Sequence, residues 1–478
     1  MSWRAFDVDQ LIGPDHSARA IWLLAGKLNL SAFEKDIHSL EDHSGRPCWS
    51  PQLLISVWIY GYSLGISSAR ALQRMMDYEP GLRWLCGAEI INHHTLSDFR
   101  LSQKEALETV FAQVLALMDE EGLMDLDTVM HDGTKMRAVA GKQSFRRKQS
   151  ISERLAKAQE LVKEMDEQEK QQQGEGDDKR RQAALERAAR ERLERMEAAI
   201  KEMDARQEKT SGEKREQMRV SVSEPEARKM KHPDGGWTPS YNVQVSTEAK
   251  SRIVVAVGVT QEANDQHQLE PAMKSIEANT GKQLKQLIVD NGYASRSNVE
   301  AAEAKEVQLI APWKDDRSRE AGAMATNRLD ARFAPSVFRQ AVQGDGLVCP
   351  AEKLLQPRKT GKHHGVVRTT YVASAEDCGK CEWQASCCGP NAAARHVQKV
   401  VESPAMQAYL ERMKQPEIQE QYKKRSEVAE FPHLWTKAIR GLRRFRVRGL
   451  VKVEKETIWM ALAYNLQQWI RLRTTLAA

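Results

Sequence analysis

Two acidic residues, Asp132 and Asp290, each end a short run of strand-forming residues, and each is followed within two positions by a glycine. We therefore predict that both acids lie at strand ends of a mixed α/β core, where glycine lets other groups approach the backbone closely. Paired carboxylates suit the two divalent ions, about 3.5–4 Å apart, that cut and join phosphodiesters. Asp before Gly is also a common turn signal, so either acid taken alone is more often structural.

A third acid is expected on a helix near the C-terminus. Four residues there form the spacing Y-x2-R-x4-E-x6-K: Tyr422, Arg425, Glu430 and Lys437. At about 100° per residue, the first three lie within about 140° of one another, so Glu430 and basic groups could face one site. Glu427 is the alternative acid. Pro432 disfavours helix at Phe431, so we predict a kink or a restart of the helix before Lys437.

Basic residues are concentrated near the same segment. The whole chain has 72 Lys and Arg against 66 Asp and Glu, a net charge of +6 that does not by itself establish nucleic-acid binding. Residues 423–448 are far more basic, and such a tract attracts phosphates, although many basic tracts are only solvated surface. The residues that we predict to contact DNA in its second half are Arg443, Arg444, Arg446 and Arg448.

Five of the seven cysteines lie between residues 349 and 388, which favours a metal site in a reducing cytoplasm over a disulfide framework. Cys378, Cys381 and Cys387 form C-x2-C-x5-C, and Cys349 can supply a fourth thiolate for tetrahedral, structural Zn²⁺. Cys388 could replace Cys387. The alternative is a set of free buried thiols.

The hydrophobic patterns divide the chain into six predicted segments. The pattern of residues 1–125 predicts helices, whose role is either DNA binding or packing and dimerisation. Residues 150–218 carry a heptad repeat of apolar residues, which predicts a helical hairpin. Strand patterns followed by helices predict the mixed core. The segments are 1–125, 126–149 (core), 150–218 (hairpin), 219–313 (core), 314–420 (cysteine-bearing insertion) and 421–478 (core with C-terminal helices).

Several motifs in order give the chain a specific resemblance. It resembles the bacterial insertion-sequence transposases with an RNase H-like D-D-E core, in the branch with a Y-R-E-K signature. It departs from that pattern at residues 431–433 (FPH), where the family has a proline directly after the acid. The matching segments are 131–135 (HDGTK), 290–293 (DNGY), 422–437, 441–450, 45–47 (GRP), 95–100, 223–230, 241–244 and 263–266.

The resemblance implies an enzyme that cleaves and transfers DNA strands. It implies that Asp132, Asp290 and Glu430 bind Mg²⁺ or Mn²⁺, and that Arg425 and Lys437 lie near DNA phosphates. The fold it implies is an RNase H-like mixed sheet flanked by helices, with an N-terminal helical domain that binds DNA and with the hairpin and cysteine-bearing insertions. The partners would be double-stranded DNA, with terminal inverted repeats and target DNA, bound by a homodimer.

Two other functions are compatible with the same residues. One is a transposase-derived protein that binds DNA but has lost catalysis, which the presence of all three acids disfavours. The other is a scaffold or RNA-binding protein, in which the strand-end acids would be accidental. The sequence has no apolar run long enough for a membrane span and no cleavable signal, so a cytoplasmic, nucleoid-associated protein is expected.

Overall fold

The computed structural model describes residues 7–34, 48–169, 177–313, 320, 324–326, 329–363, 366–389 and 392–477. The motif at 45–47 lies outside these residues. The chain forms two compact units, which are described separately below. The first contains residues 1–293, 306–308 and 421–478, and the second contains 294–305 and 309–420.

Helices occupy much of the described chain. In chain order they are α1 (Ser17–Ala25), α2 (Ser31–Glu34), α3 (Pro51–Ser63), α4 (Ala69–Met75), α5 (Pro80–Leu85), α6 (His93–Leu101), α7 (Lys104–Glu120), α8 (Lys148–Glu169), α9 (Asp177–Glu208), α10 (Glu213–Glu216), α11 (Leu269–Thr280), α12 (Arg296–Ala304), α13 (Ala375–Gly379), α14 (Gln384–Cys388), α15 (Pro404–Arg412), α16 (Pro416–Lys423), α17 (Arg425–Ala429), α18 (Phe431–Leu434) and α19 (Leu450–Ala477).

Within the described residues, the strands form three sheets. In chain order they are β1 (Thr128–Arg137), β2 (Phe145–Arg146), β3 (Val220–Ser221), β4 (Arg228–Lys231), β5 (Trp237–Glu248), β6 (Val254–Thr260), β7 (Gln286–Ile288), β8 (Gln308–Ile310), β9 (Arg339–Gln340), β10 (Leu347–Val348), β11 (Leu354–His363), β12 (Val366–Ala373) and β13 (His396–Val400).

The first unit is built on a mixed sheet with β1 near its centre. The strand order is β4–β5–β1–β7–β8, and β6 pairs with β5 beside β4. β5 runs antiparallel to β1 and β6, whereas β7 runs parallel to β1. This mixed sheet with its surrounding helices confirms the predicted fold class, an RNase H-like α/β core with a helical N-terminal region. The chain passes into the second unit within β8.

The C-terminal helix α19 packs against both the N-terminal helices and the sheet of the first unit. It packs against α3 and α7 from the N-terminal region and against β6 of the sheet. Its buried face includes Trp459, Leu462 and Leu466, and removing such apolar area from water is the main stabilising term in this contact. Asn465 adds specificity, because its side-chain amide bonds both the N–H and the carbonyl of Val254.

The predicted helical hairpin lies between β1 and β5 in the sequence. α8 and α9 pack together, and at their base β2 pairs with β3. Ile151 from the predicted heptad seam is buried there with Ala199, Met203 and Val220. Further along the hairpin, most side chains are exposed, as the dense charge of this segment predicts.

The second unit contains an antiparallel sheet in the order β13–β12–β11–β10–β9. Its small apolar core consists of Phe338, Leu347, Leu355, Ala373 and Val397. Three of the cysteines, which are described below, pack against this core.

The segment that carries the predicted third acid is not one continuous helix. α17 ends at Ala429, α18 begins at Phe431 with Pro432 in its first turn, and residues Trp435–Ile439 form a π-helical turn. The predicted restart therefore occurs, and it falls at Glu430. The expectation that Pro432 disfavours helix at Phe431 is wrong, because Phe431 is the first residue of α18 and Pro432 occupies its first turn, where proline is tolerated. No helix in the part of the chain that the structure describes is long and apolar enough to cross a membrane.

Candidate active site

The register of two parallel strands brings the first two acids together. In β1 and β7, Thr128 aligns with Gln286 and Met130 with Ile288. Continuing this alignment by two residues places Asp132 level with Asp290, just beyond the end of β7. The two carboxylates interact electrostatically, since the charge of Asp290 contributes to the raised pKa of Asp132. Asp132 and Asp290 are thus neighbours, but the prediction that both acids lie at strand ends is wrong for Asp132. It lies in the middle of β1, which continues to Arg137, whereas Asp290 follows the end of β7.

Asp132 lies in a crowded and largely dry position, with 17% of its side chain exposed. Its pKa is raised to about 6, mainly by burial and also by the charges of Asp290 and Asp265, whereas Arg425 opposes the shift. Buried carboxylates of like charge destabilise one another unless a cation or a proton joins them. This position therefore favours a bound cation.

Two side chains from the C-terminal segment face Asp132. Arg425 Nη1 lies 3.5 Å from Asp132 Oδ1, and His433 Nε2 lies 3.8 Å from Asp132 Oδ2. Both nitrogen atoms are buried, and neither has a hydrogen-bond partner in the part of the chain that the structure describes. Burial lowers the pKa of His433 to about 3, so its imidazole is neutral. The site therefore holds polar atoms that are ready for a further ligand.

Lys437 follows His433 by four residues and is bonded to the acid-bearing strand. Its ammonium donates to Thr134 Oγ1 at 2.5 Å and to the carbonyl oxygen of Lys135 at 2.8 Å. Burial lowers its pKa to about 8, although Asp132 partly opposes this. Lys437 thus ties the π-helical turn to β1 close to Asp132.

Glu430 is not joined to this pair by a contact. Its neighbours Val428 and Ala429 are buried, and α17 packs on β1 and β5, whereas Glu430 is exposed. Within the described residues, no side-chain hydrogen bond or ion pair connects Glu430 to another group. The alternative acid Glu427 is also exposed. The third acid therefore stays a prediction.

A polar network behind β1 supports the first acid and includes Asp265, to which the sequence analysis gave no role. Asp265 Oδ1 accepts hydrogen bonds from Asn242 Nδ2 at 2.7 Å and from Gln244 Nε2 at 2.8 Å. A Cβ atom on Gly133 would lie 2.5 Å from Gln244 Nε2 and closer still to Asp265, so only glycine fits beside this carboxylate. An acid in the loop after β6 was the available signal, but sequence alone did not place it against β1.

The same network explains the remaining motif residues. Gln244 Oε1 accepts from Tyr293 Oη at 2.5 Å and from His131 Nε2 at 2.9 Å. His131 also contacts Ser246 Oγ through Nδ1 at 2.8 Å, and burial lowers its pKa to about 4. The neutral ring therefore donates through Nε2 and accepts through Nδ1. Because Tyr293 is anchored here, it fixes the turn that begins at Asp290.

Asp290 is oriented by its own turn. Its Oδ1 accepts the N–H of Gly292 at 2.7 Å, and the N–H of Tyr293 bonds the Asp290 carbonyl oxygen at 3.3 Å. One carboxylate oxygen is therefore used to hold the turn. The D-x-G-Y motif thus stabilises its own turn through one carboxylate oxygen of Asp290, which does not prevent the second oxygen from binding a ligand.

The predicted DNA-binding tract runs beside the end of β1. Leu442, Phe445 and Val447 are buried, whereas Arg443, Arg444, Arg446 and Arg448 are exposed. The side chain of Arg444 bonds the backbone just after β1: its guanidinium donates to the carbonyl oxygens of Ala138 and Val139 at 2.9 and 2.5 Å. Arg443 donates to the carbonyl oxygen of Lys437 at 2.9 Å.

The cysteines of the second unit line one cavity. Cys349, Cys378 and Cys387 pack against its small apolar core, and Cys387 also contacts the cluster around Phe333. All seven cysteines of the chain are free thiols. The pKa of Cys388 is raised to about 12, mainly by burial and also by its neighbour Cys378. The thiols that line this cavity are Cys349, Cys378, Cys381, Cys387 and Cys388.

Neither group of side chains has closed into a metal-binding geometry. Across the described ranges, no three His, Cys, Asp or Glu side chains lie close enough to hold one ion together. The acids and the thiols are each brought into one neighbourhood, but not to coordination distance.

Two family models match the chain. A model described as a transposase DDE domain matches residues 348–470, and a model described as a transposase domain (DUF772) matches residues 6–102. No curated protein matches the chain. The first match includes the cysteines and Glu430, the second covers the N-terminal helices, and Asp132 and Asp290 lie between the two. With a transposase model at each end and paired acids in an RNase H-like sheet, the chain belongs to the insertion-sequence transposases that carry a DDE domain and act in DNA transposition.

Proposed function

We propose that this transposase cuts and joins DNA at terminal inverted repeats and inserts the cut ends into target DNA. Asp132 and Asp290 would hold Mg²⁺ or Mn²⁺, and Glu430 would complete the triad. The observation that carries the proposal is the parallel register of β1 and β7, which sets Asp132 level with Asp290. Two carboxylates on neighbouring segments of one sheet are a suitable base for in-line phosphoryl transfer.

The residues of the site fit a hard divalent cation. Mg²⁺ is commonly bound by only one or two protein carboxylates together with water and substrate phosphates, so a third close acid is not required in the absence of DNA. Asp132 is destabilised by burial and by the charges of Asp290 and Asp265, and a cation would relieve this. The buried unpartnered atoms Arg425 Nη1 and His433 Nε2 face the same carboxylate and could bond a phosphate or a water molecule.

When bound, the metal would polarise the scissile phosphodiester and activate the attacking hydroxyl. Arg425 would orient Asp132 and retain donors for a phosphate, because a guanidinium has five N–H groups in a planar fork. Lys437 donates hydrogen bonds to Thr134 and Lys135 through two of its three N–H groups, and the third could donate to a phosphate oxygen. These two residues would therefore position both the strand and the substrate.

Glu430 requires a separate argument, because it is exposed and without a partner in the described part of the chain. We propose that it turns toward the acid pair when DNA and metal are bound. It lies at the break between α17 and α18, where the following helix begins anew at Phe431. A residue at such a break can be redirected without unwinding a continuous helix.

DNA would be held by surfaces beyond the acids. The exposed side chains of Arg443, Arg446 and Arg448 are proposed to bind backbone phosphates, with Arg444 contributing while it remains bonded to β1. Because two DNA ends must be held together for joining, we propose a homodimer in the DNA complex. The N-terminal helical region is proposed to help recognise the ends.

The cysteines are proposed to bind one structural Zn²⁺. Cys349, Cys378, Cys381 and Cys387 line the same cavity, with Cys388 as the alternative to Cys387. Four thiolates match the tetrahedral preference of zinc, and the small core of the second unit would gain folding energy from it. We assign this ion no part in catalysis.

The decisive experiment uses labelled linear DNA that carries the inverted repeats flanking the gene. Full-length protein is expected to nick this DNA at the repeat ends when MgCl₂ is present and not when EDTA replaces it. A scrambled repeat of the same length is the control. Binding of the repeats without nicking at any Mg²⁺ or Mn²⁺ concentration would instead identify the catalytically lost, DNA-binding relative.

A further inference from the structure

A second basic segment lies in the second unit, outside the tract at residues 423–448. The strands β11, β12 and β13 contain five Lys and Arg residues and no Asp or Glu: Arg358, Lys359, Lys362, Arg368 and Lys399. We propose that one face of these strands binds the phosphate backbone of duplex DNA, with a phosphate over Gly361, between Lys359 and Arg368. This inference rests on the proposed function.

The register of β11 and β12 shows which residues share a face. Thr360 lies opposite Thr369, and their hydroxyl groups bond at 2.9 Å. Thr369 is buried, and it lies on the same face of β12 as the core residue Ala373, four positions later. Neighbouring residues of a strand point to opposite faces. Lys359 and Gly361, on either side of Thr360, therefore lie on the face that points away from the apolar core.

Four residues form one surface on this face, which we call the outer patch: Lys359, Gly361, Arg368 and Thr370. Gly361 lies opposite Arg368, and Lys359 lies opposite Thr370. Lys359 and Arg368 are thus diagonal neighbours, about 7–8 Å apart, and both side chains are exposed. The shorter residues Gly361 and Thr370 lie at the other two corners. Two long cations therefore flank a low surface on which one phosphate would fit.

The charge of the outer patch is not balanced by the protein. Among the residues that the structure describes, neither Lys359 nor Arg368 has a partner in an ion pair or a side-chain hydrogen bond. The acid just before β11, Glu352, pairs with Arg339, and the acid just after β13, Glu402, pairs with Arg296. Adjacent like charges destabilise a sheet. The outer patch therefore favours an anion from outside the chain.

Protection of an exposed sheet edge explains only part of this composition. In the described chain, β10 pairs with β11 only at Leu354 and Leu355, so the rest of β11 has a free edge. Lysines and β-bulges commonly protect such edges from aggregation, and β11 has both, with its bulge between Pro357 and Lys359. Arg368 is different, because β12 is paired on both sides, with β11 and with β13. Edge protection does not account for this cation.

Gly361 indicates a close approach by another molecule. Its φ lies outside the left-handed region, and a Cβ atom added to it would have no atom within 4 Å, so neither backbone conformation nor packing requires glycine here. Glycine weakens a strand, and inside one it often marks a place where a ligand comes close to the backbone. Because Arg368 lies opposite and Lys359 two residues away, the expected ligand is an anion. In a transposase, the abundant anion is the DNA phosphate.

The experiment measures binding of the full-length protein to duplex DNA over a range of salt concentrations. Lys359→Ala with Arg368→Ala is expected to bind about tenfold more weakly and to flatten the log–log salt dependence by about 0.9 for each lost phosphate contact. Phosphate contacts carry no sequence information, so the loss should be equal on repeat DNA and on a scrambled duplex. The control is Lys362→Ala with Lys414→Ala, which removes the same charge from exposed lysines outside the outer patch.

Gly361→Val tests the phosphate position without changing any charge. Valine favours strands and its Cβ has open space, so the midpoint of thermal unfolding should stay the same or rise. The added side chain would cover the low surface between Lys359 and Arg368. Binding of duplex DNA is therefore expected to weaken several-fold in a variant that is no less stable than wild type.

The inference is overturned if Lys359→Ala with Arg368→Ala binds like wild type, or if the control variant loses as much affinity. It is also overturned if Gly361→Val binds like wild type or unfolds at a lower temperature. A loss confined to repeat DNA would indicate base recognition, and a loss confined to single-stranded RNA would assign the face to RNA; either contradicts the proposal. Wild-type protein that binds no duplex DNA would overturn the proposed function as well, and that outcome is distinct.

Discussion

The groups around Asp132 and the groups around the five cysteines are held in different ways. Asp132 is fixed by strand register, by the network of Gln244 and Asp265, and by Arg425 and Lys437 from the C-terminal segment. The cysteines line a cavity beside a core of only five buried residues, and their thiols are free. The first region is organised by the protein before any metal arrives. The second, in our proposal, needs its metal to be organised at all.

The largest effect is expected from the paired acids themselves. Asp132→Asn and Asp290→Asn should each reduce strand cleavage by at least about a thousandfold, because each removes a metal ligand. Binding of repeat DNA and the unfolding midpoint should change little, since the preformed network remains. Asp127→Asn is the matched control, because Asp127 is exposed just before β1 and pairs with Lys285. Full activity in either site variant would remove that residue from the catalytic set.

The third acid is distinguished by a pair of variants. Glu430→Gln is expected to lose cleavage to a similar extent, because the proposed ligand is lost, while Glu427→Gln keeps it. Both residues are exposed, so neither change should affect stability, which thermal unfolding would verify. The reverse result, with Glu427→Gln inactive, would move the third acid to Glu427.

Removal of zinc should affect the second region and leave the first intact. Chelation, or Cys378→Ser with Cys381→Ser, should open residues 314–420 to protease before the sheet of the first unit is cut, because metal binding energy is largely folding energy there. Elemental analysis should find about one zinc per chain. Cys86→Ser, a buried cysteine of the first unit, is the control for loss of a thiol alone. A protein that is intact, active and free of zinc would return the cysteines to ordinary buried thiols.

A smaller effect tests the preorganisation of the first region. Gly133→Ala should lower the free energy of unfolding by about 1–3 kcal/mol, because its Cβ would overlap Gln244 and Asp265. Gly141→Ala is the control, since no atom lies within 4 Å of its added Cβ and its φ is −84°. Urea unfolding measures both. Equal stability of the two variants would mean that the network behind β1 is less tightly packed than described.

The smallest effect is expected in the basic tract, where the four arginines should not behave alike. Arg446→Ala with Arg448→Ala should flatten the salt dependence of DNA binding by about 0.9 per lost phosphate contact. Arg444→Ala should instead lower stability by about 1–3 kcal/mol, since it leaves two backbone carbonyl oxygens without their donor. Neutralising Arg443, Arg444 and Arg446 together should show both effects. An unchanged salt slope would mean that the tract does not face DNA.

Much of this arrangement could be predicted from the sequence where one local pattern determines it. The strand-forming run before Asp290 placed this acid correctly after a strand, and the heptad spacing around Ile151 identified a buried part of the hairpin. The run before Asp132 predicted a strand but not its end, because β1 continues through the polar residues after Asp132 as far as Arg137. Pro432 correctly predicted a restart of the helix before Lys437, but not its position, because Phe431 is itself helical.

Other features depend on long-range packing that no local pattern encodes. His433 faces Asp132, but in the sequence it was only a departure from a motif. Asp265 lies against Gly133 because β5 and β6 bring the following loop back over β1. Likewise, the sequence predicted that Arg444 contacts DNA, and only the structure shows that its side chain bonds the backbone carbonyl oxygens of residues 138 and 139.

The packing of α19 against the N-terminal helices α3, α6 and α7 has a consequence for protein synthesis. Trp459 donates to the carbonyl oxygen of Arg100 across 359 positions of the chain, and Lys455 to that of Leu101 across 354. A growing chain on the ribosome therefore exposes the apolar faces of α3, α6 and α7 until α19 has emerged, and such contacts form slowly. Translation that stops early would yield a product with Asp132 and Asp290 in its sequence but without its last packing partner. Such a fragment is expected to aggregate or be degraded rather than cut DNA.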